Sequence, residues 1–169
     1  MGRGRTTTGM VIAVLLYLVR GHRSSSEILS SSLDFIEFQS ETESIDSDNL
    51  CYRYLAGEYK IIMNLLQVLE HGKLAKRLLD LAIDQCEAIQ NLRKAIYDFK
   101  LRDSRISQSD RDRGLNYLLR YYFLVAFAEY LLEIDNVEQS SPGRSFASWL
   151  SDRREISNMV SRRDHIDFS

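Results

Sequence analysis

The sequence predicts an all-α fold for the chain as present, and three observations carry that expectation. One Pro and eight Gly in 169 residues leave long segments unbroken. Apolar residues recur at three- and four-residue spacing through most of the chain, the signature of helices that bury one face. No alternating strand pattern of useful length and no internal repeat appears. The length is that of one domain, enough to bury a core.

The first helix is expected from about Thr7 to Arg20, apolar nearly all round from Met10 to Val19, as befits a buried helix, with Gly21 as its stop. Residues 24 to 48 form an acidic, serine-rich insert with Glu27, Asp34, Glu37, Glu41, Glu43, Asp46 and Asp48 and no base. Despite an apolar patch at Leu33, Phe35, Ile36 and Phe38, this insert is expected to be a partly disordered surface segment. A helical subdomain then occupies 49–169. Its first element opens at Asp48, with Leu50, Cys51 and Tyr54 on one side. Tyr59, Ile62, Met63, Leu66 and Leu69 keep helical spacing until His71-Gly72. The period resumes with Leu74, Leu78, Leu81, Ala82, Gln85, Ile89, Leu92 and Ile96, as one long helix or a close pair bent near Cys86. A polar connector from Asp103 to Ser109 leads to Asp110, the expected cap of a helix reaching Ile134 whose stretch Tyr117 to Leu132 must be deeply packed. Ser140 to Gly143 is a turn, Ser145 caps a short helix carrying Phe146, Trp149 and Leu150, and Ile156, Met159 and Val160 precede a frayed tail.

A net charge of -2, with 44% hydrophobic and 27% charged residues, gives no overall case for nucleic acid or an anionic membrane. The distribution is more telling, because residues 1–23 carry Arg3, Arg5, Arg20 and Arg23 and no acid, which suits an anionic ligand. Two unclustered cysteines, Cys51 and Cys86, point to a reducing, cytoplasmic setting and away from a disulfide scaffold or a zinc site. His22, His71 and His165 have no metal-ligand spacing, so neither a metal nor a cofactor is expected. Asp80 and Asp84, near Lys76 and Arg77, suggest a solvated ion-pair face. Arg102, Arg105, Arg111 and Arg113 alternate with Asp103, Asp110 and Asp112 and make a charged helix entrance. Tyr117, Tyr121, Tyr122, Phe123, Phe127 and Tyr130 sit between leucines at helical spacing and are assigned to the core, while Glu129 among them argues against a membrane helix.

The motif with chemical content is at the start. Gly2-Arg3-Gly4-Arg5-Thr6-Thr7-Thr8-Gly9 runs directly into the apolar helix. Glycines let backbone N–H groups turn toward an anion, the positive end of the following helix dipole points at the same place, and Arg5 offers a planar fork for two phosphate oxygens. This run resembles the signature of the cysteine-dependent phosphatases, a nucleophilic Cys followed by five residues, Arg and then Ser or Thr. Within that superfamily it is most similar to the paladin and inositol-hexakisphosphate-phosphatase-like group. The stretches Gly57-Glu58-Tyr59-Lys60-Ile61-Ile62-Met63, Gln90-Asn91-Leu92-Arg93-Lys94-Ala95-Ile96-Tyr97 and Phe146-Ala147-Ser148-Trp149-Leu150 with Arg153, Arg154, Glu155 and Ile156 carry the same resemblance.

The resemblance implies that this chain is the helical part of an α/β tyrosine-phosphatase-like domain whose sheet lies upstream. It assigns Arg5 as the phosphate clamp, Gly2, Arg3 and Gly4 as amide donors, and the Thr6 hydroxyl as the group that steadies the sulfur. Met1 to Gly4 supply only four of the five spacer residues, so the nucleophilic Cys is expected ahead of Met1, together with the general acid. Cys51 and Cys86 lack an Arg at the required spacing, and the chain alone is expected to be inactive. Its expected partners are a phosphorylated small molecule or phosphoprotein and the rest of the parent domain, with no nucleic acid and no membrane span. Met-Gly-x-x-x-Thr also matches a myristoylation pattern, and Arg3 and Arg5 before an apolar run imitate a secretory signal. Arg20, His22 and Arg23 follow at once without a small-x-small cleavage site, and the run falls short of the about 20 residues a span needs. Two other readings remain: a non-catalytic, pseudophosphatase-type phosphate-binding module, and a small helical interaction protein with a basic N-terminal tail.

Overall fold

The computed structural model describes residues 3–24, 47–102, 107–136, 143–162 and 165–169, and every described regular element is a helix. In chain order these are α1 (Arg3–Ser24), α2 (Ser47–Leu55), α3 (Lys60–Val68), α4 (Gly72–Gln85), α5 (Leu92–Arg102), α6 (Gln108–Asn136), α7 (Phe146–Asp152) and α8 (Arg154–Ser161). Most of the acidic insert, residues 25–46, and the turn at 140–142 lie outside the described residues.

α6 is the axis of the fold and touches α1, α3, α4, α5 and α7. Leu118, Tyr121, Tyr122, Val125, Ala126 and Ala128 are completely buried on it, so its apolar residues face inward around most of the circumference. Fully burying each large side chain stabilises the fold by about 1.5–3 kcal/mol. The tyrosine hydroxyls buried on α6 are partnered: Tyr122 donates to the Ile156 carbonyl at 2.8 Å, which joins α6 to α8. The aromatic assignment to the core is borne out.

Helix ends follow local chemistry. α2 closes in a Schellman turn, in which Glu58 N–H donates to the Arg53 carbonyl at 2.9 Å and Gly57 N–H to the Tyr54 carbonyl at 3.0 Å. Gly57 has φ of 79°, and a Cβ there would meet the Tyr121 hydroxyl at 2.6 Å, so conformation and packing both require glycine. The expected bend near Cys86 is a true break into α4 and α5, because the Asn91 side chain accepts from Lys94 N–H at 3.2 Å and restarts the helix. Ser145 caps α7 as expected, accepting from Ser148 N–H at 3.2 Å.

Four expectations need correction. α1 runs three residues past Gly21 to Ser24, since that glycine is surrounded by open space and its helical cost is only about 1 kcal/mol. Asp110 is not the cap of α6. Ser107 is, its hydroxyl accepting from Asp110 N–H at 3.3 Å while donating to the Asp110 carboxylate at 3.0 Å. The tail is not frayed over 165–169: Ile166 and Phe168 are buried, Lys60 N–H donates to the Ser169 carbonyl at 2.6 Å, and Lys100 Nζ donates to the Phe168 carbonyl at 2.7 Å. Finally, α1 is buried on one side only. Val11, Leu15 and Val19 form a buried stripe at four-residue spacing, and α1 packs on α4 and α6, but Met10 is 43% and Tyr17 76% exposed on the outward side. Nothing in the described chain covers that apolar side.

Candidate functional site

The residues singled out by the opening motif sit at the start of α1. Gly2 lies outside the described residues, while Arg3, Gly4, Arg5 and Thr6 form the first helical turn and not a loop. Propagating a helix adds one hydrogen bond for each residue fixed, so α1 extends through these positions. Thr8 reinforces the turn by donating from its hydroxyl to the Gly4 carbonyl at 2.8 Å. Arg5 and Thr6 are exposed and Thr7 is buried.

The structure adds a residue that spacing alone did not single out. Arg120 of α6 lies against Gly4, so closely that a Cβ at that glycine would stand 3.0 Å from Nη1, and its guanidinium lies over the Tyr117 ring at 5.3 Å. Among the described residues it makes no ion pair. A signal was present in the sequence: Arg120 and Glu129 are the two charged residues in the otherwise apolar or neutral run 115–132. A charge held in such a run must find a partner or a way to solvent. Thr7, Thr8, Gln90, Leu92 and Arg120 line a small cleft here of about 10 Å³, room for about one water. Any larger anion would therefore lie outside it, on the exposed turn with Arg5. The positive end of α1 and two guanidinium groups can hold an oxyanion. Among the described residues, no Cys, His or carboxylate lines the cleft.

Elsewhere the polar residues are structural nodes. Asp80 accepts from Lys76 Nζ at 2.7 Å, from the Tyr121 hydroxyl at 2.7 Å, and pairs with Arg93 Nη1 at 3.1 Å, while Arg93 also pairs with Asp84. Lys76 Nζ additionally donates to the Ala56 carbonyl at 2.6 Å. The expected solvated face is thus corrected: Asp80 points inward and joins α4, α5 and α6, because a buried tyrosine hydroxyl needs an acceptor. Burial, then Asp80, holds the Tyr121 hydroxyl well above the ordinary tyrosine value, so it remains a donor.

Glu129, fully buried in α6, accepts from His71 N–H at 2.9 and 3.1 Å and lies 3.3 Å from His71 Nδ1, which fixes the α3–α4 turn. Burial pushes its carboxyl above the usual range against the opposing pull of His71. Glu133 binds Trp149 Nε1 at 2.6 Å and pairs with Arg153, tying α6 to α7. Cys86 is buried at the end of α4, and half-buried Cys51 accepts from the Tyr97 hydroxyl at 2.9 Å; both are free thiols. Among the described residues no group of His, Cys, Asp or Glu could hold a metal, and no helix is long and apolar enough to cross a membrane.

No family profile matches the chain, and neither does any solved structure. Curated relatives do match. Paladin of Gallus gallus is 29% identical over 179 residues, covering 99% of this chain and 18% of its own length. Paladin of Xenopus tropicalis is 30% identical over 161 residues and that of Danio rerio 31% over 160, each covering 88% of this chain and 16% of the relative. The chain therefore spans about a sixth of the length of the relatives it matches.

Proposed function

Because this chain belongs to the paladin family, we propose that it is the helical part of a cysteine-dependent, tyrosine-phosphatase-like domain, and that the first turn of α1 is its contribution to phosphate recognition. The observation that carries the proposal is the two-sided character of α1. Its start is cationic, with Arg5 exposed and Arg120 drawn up to Gly4, while its outward side is apolar and open at Met10 and Tyr17. A cationic helix start suits a phosphate oxygen, and an open apolar side suits burial against another layer of the same domain.

In this reading Arg5 holds the equatorial oxygens of a phosphomonoester on an inositol phosphate or a phosphoprotein. Gly2, Arg3 and Gly4 supply amides once the turn opens around the anion, and Thr6 steadies a sulfur leaving group. Arg120 braces the turn from behind. In this reading the nucleophile and general acid are supplied by other parts of the parent domain.

The reading frame ahead of the Met1 codon is the direct test. A Cys codon two positions upstream, in frame with further coding sequence, is the expected result. An in-frame stop at that point would contradict the assignment and leave the small helical interaction protein as the better account.

A further inference from the structure

Gly114, Tyr117 and Arg120 follow one another at three-residue spacing on α6, which places them along one side of the helix, about 9 Å from first to last. The C-terminal tail sits at the Gly114 end. Phe168 is buried, and a Cβ at Gly114 would meet its Cζ at 2.8 Å and Phe99 Cγ of α5 at 2.7 Å, so the glycine makes room for both rings. The next residue of α5, Lys100, holds the tail backbone there by donating from Nζ to the Phe168 carbonyl at 2.7 Å.

From that point ring contacts run on toward α1. The Phe99 ring lies 5.8 Å from the Tyr117 ring, tilted by 31°. The Arg120 guanidinium lies 5.3 Å from the Tyr117 ring centre, and its Nη1 stands 3.0 Å from the place a Cβ would take at Gly4. Both separations fall within the reach of attractive ring contacts, about 4.5–7 Å between two rings and about 6 Å from a cation to a ring. Tyr117 is half-buried, unlike the fully buried Tyr121 and Tyr122 of the next turn, so its ring is held by these neighbours more than by the core. An arginine side chain with several free torsions samples many positions, and a flat ring against the guanidinium fixes the plane of its fork.

We propose that Tyr117 is the positioning residue of the α1 turn: its ring holds the Arg120 guanidinium against Gly4, and the docked tail, through Phe168 and Phe99, holds the ring. The tail thereby sets how well the turn receives an oxyanion, a role that rests on the phosphate-facing reading of that turn given above. Releasing Phe168 frees Phe99 to move into the space beside Gly114. The Tyr117 ring follows, and Arg120 loses the surface that orients it.

The test, on the full chain, is the nuclear Overhauser effect between the Arg120 guanidinium protons and Gly4 Hα, recorded cold and at mildly acid pH, where those protons exchange slowly. Titration with inorganic phosphate follows. Wild type and Tyr117→Phe, which keeps the ring face, are expected to show the effect. Tyr117→Leu loses it and Phe168→Ala weakens it, while the amides of Val125 and Ala126 stay in place and show an intact core. Phosphate affinity read at residues 4–8 falls roughly twofold to fivefold in Tyr117→Leu, the loss of one exposed cation–π contact, and is restored in Tyr117→Phe. A Gly4–Arg120 signal that survives Tyr117→Leu overturns the positioning role whatever phosphate does, and one indifferent to Phe168→Ala overturns the part given to the tail. The expected pattern of signals beside amides that ignore phosphate supports the positioning role and overturns the phosphate-facing reading instead.

Discussion

α6 and α1 are both long and apolar, yet the chain treats them differently. α6 is complete: its large side chains are buried, and its buried carboxylate Glu129 finds His71 within the same polypeptide. α1 buries one stripe, Val11, Leu15 and Val19, and leaves Met10 and Tyr17 open, with arginine at its start and no acid in its first turn. A helix whose contacts are closed within the chain is scaffold. One whose apolar side and charged end are both open is what the proposed interface requires, and here the two open features occur together on the element that carries the opening motif.

The largest effect that can break this comparison is in the scaffold. Leu118→Ala in α6 is expected to cost about 2–5 kcal/mol, seen as a lowered urea midpoint, whereas Tyr17→Ser in α1 stays within about 0.5 kcal/mol. A comparable loss at Tyr17 would mean that the outward side of α1 is packed after all.

Gly57→Ala comes next. It forces a side chain into a positive-φ turn and against Tyr121, for an expected loss of about 1–3 kcal/mol by thermal unfolding. Asp80→Asn, which removes the charge shared by Lys76 and Arg93, should cost about 1–3 kcal/mol in the same assay.

The smallest predicted effect is on pH dependence. Glu129 is an acid whose folded-state pKa lies above its unfolded value of 4.5, so the folded state holds the proton to higher pH than the unfolded chain does. Its contribution is greatest below pH 4.5 and is lost as pH rises through the window above that value. Urea midpoints at pH 4.5 and 7 for wild type and Glu129→Gln should therefore show wild type losing ground to the variant on going to pH 7. A difference that stays constant with pH would mean that folding leaves the Glu129 pKa unshifted.

Much of this architecture is legible in the residues, and the gaps have physical causes. The long apolar run of α6, the Ser145 cap and the break near Cys86 follow from periodicity and from cap chemistry that acts over three residues. The tail escapes such reasoning because Ile166 and Phe168 are two isolated apolar residues; Phe168 is seated against Gly114, 54 residues earlier in the chain, where Phe99 also closes in. Arg93 escapes it too. Its two carboxylates come from α4, and no local pattern says which of several arginines turns inward. Asp110 is misassigned as a cap because Ser107, three residues earlier, competes for the same role with the same chemistry. At α1 the motif picks out the element, whereas the helical turn at Arg3–Thr6 and the approach of Arg120 depend on how α6 passes behind it.

The most direct test of the phosphate-facing turn is a 1H–15N titration of the chain with inorganic phosphate, following the amides of residues 4–8. The account predicts weak, saturable shifts at those amides that Arg5→Ala abolishes, while α6 resonances remain in place. A chain whose α6 signals show it folded, but whose residues 4–8 do not respond to phosphate or respond equally well without Arg5, would contradict it.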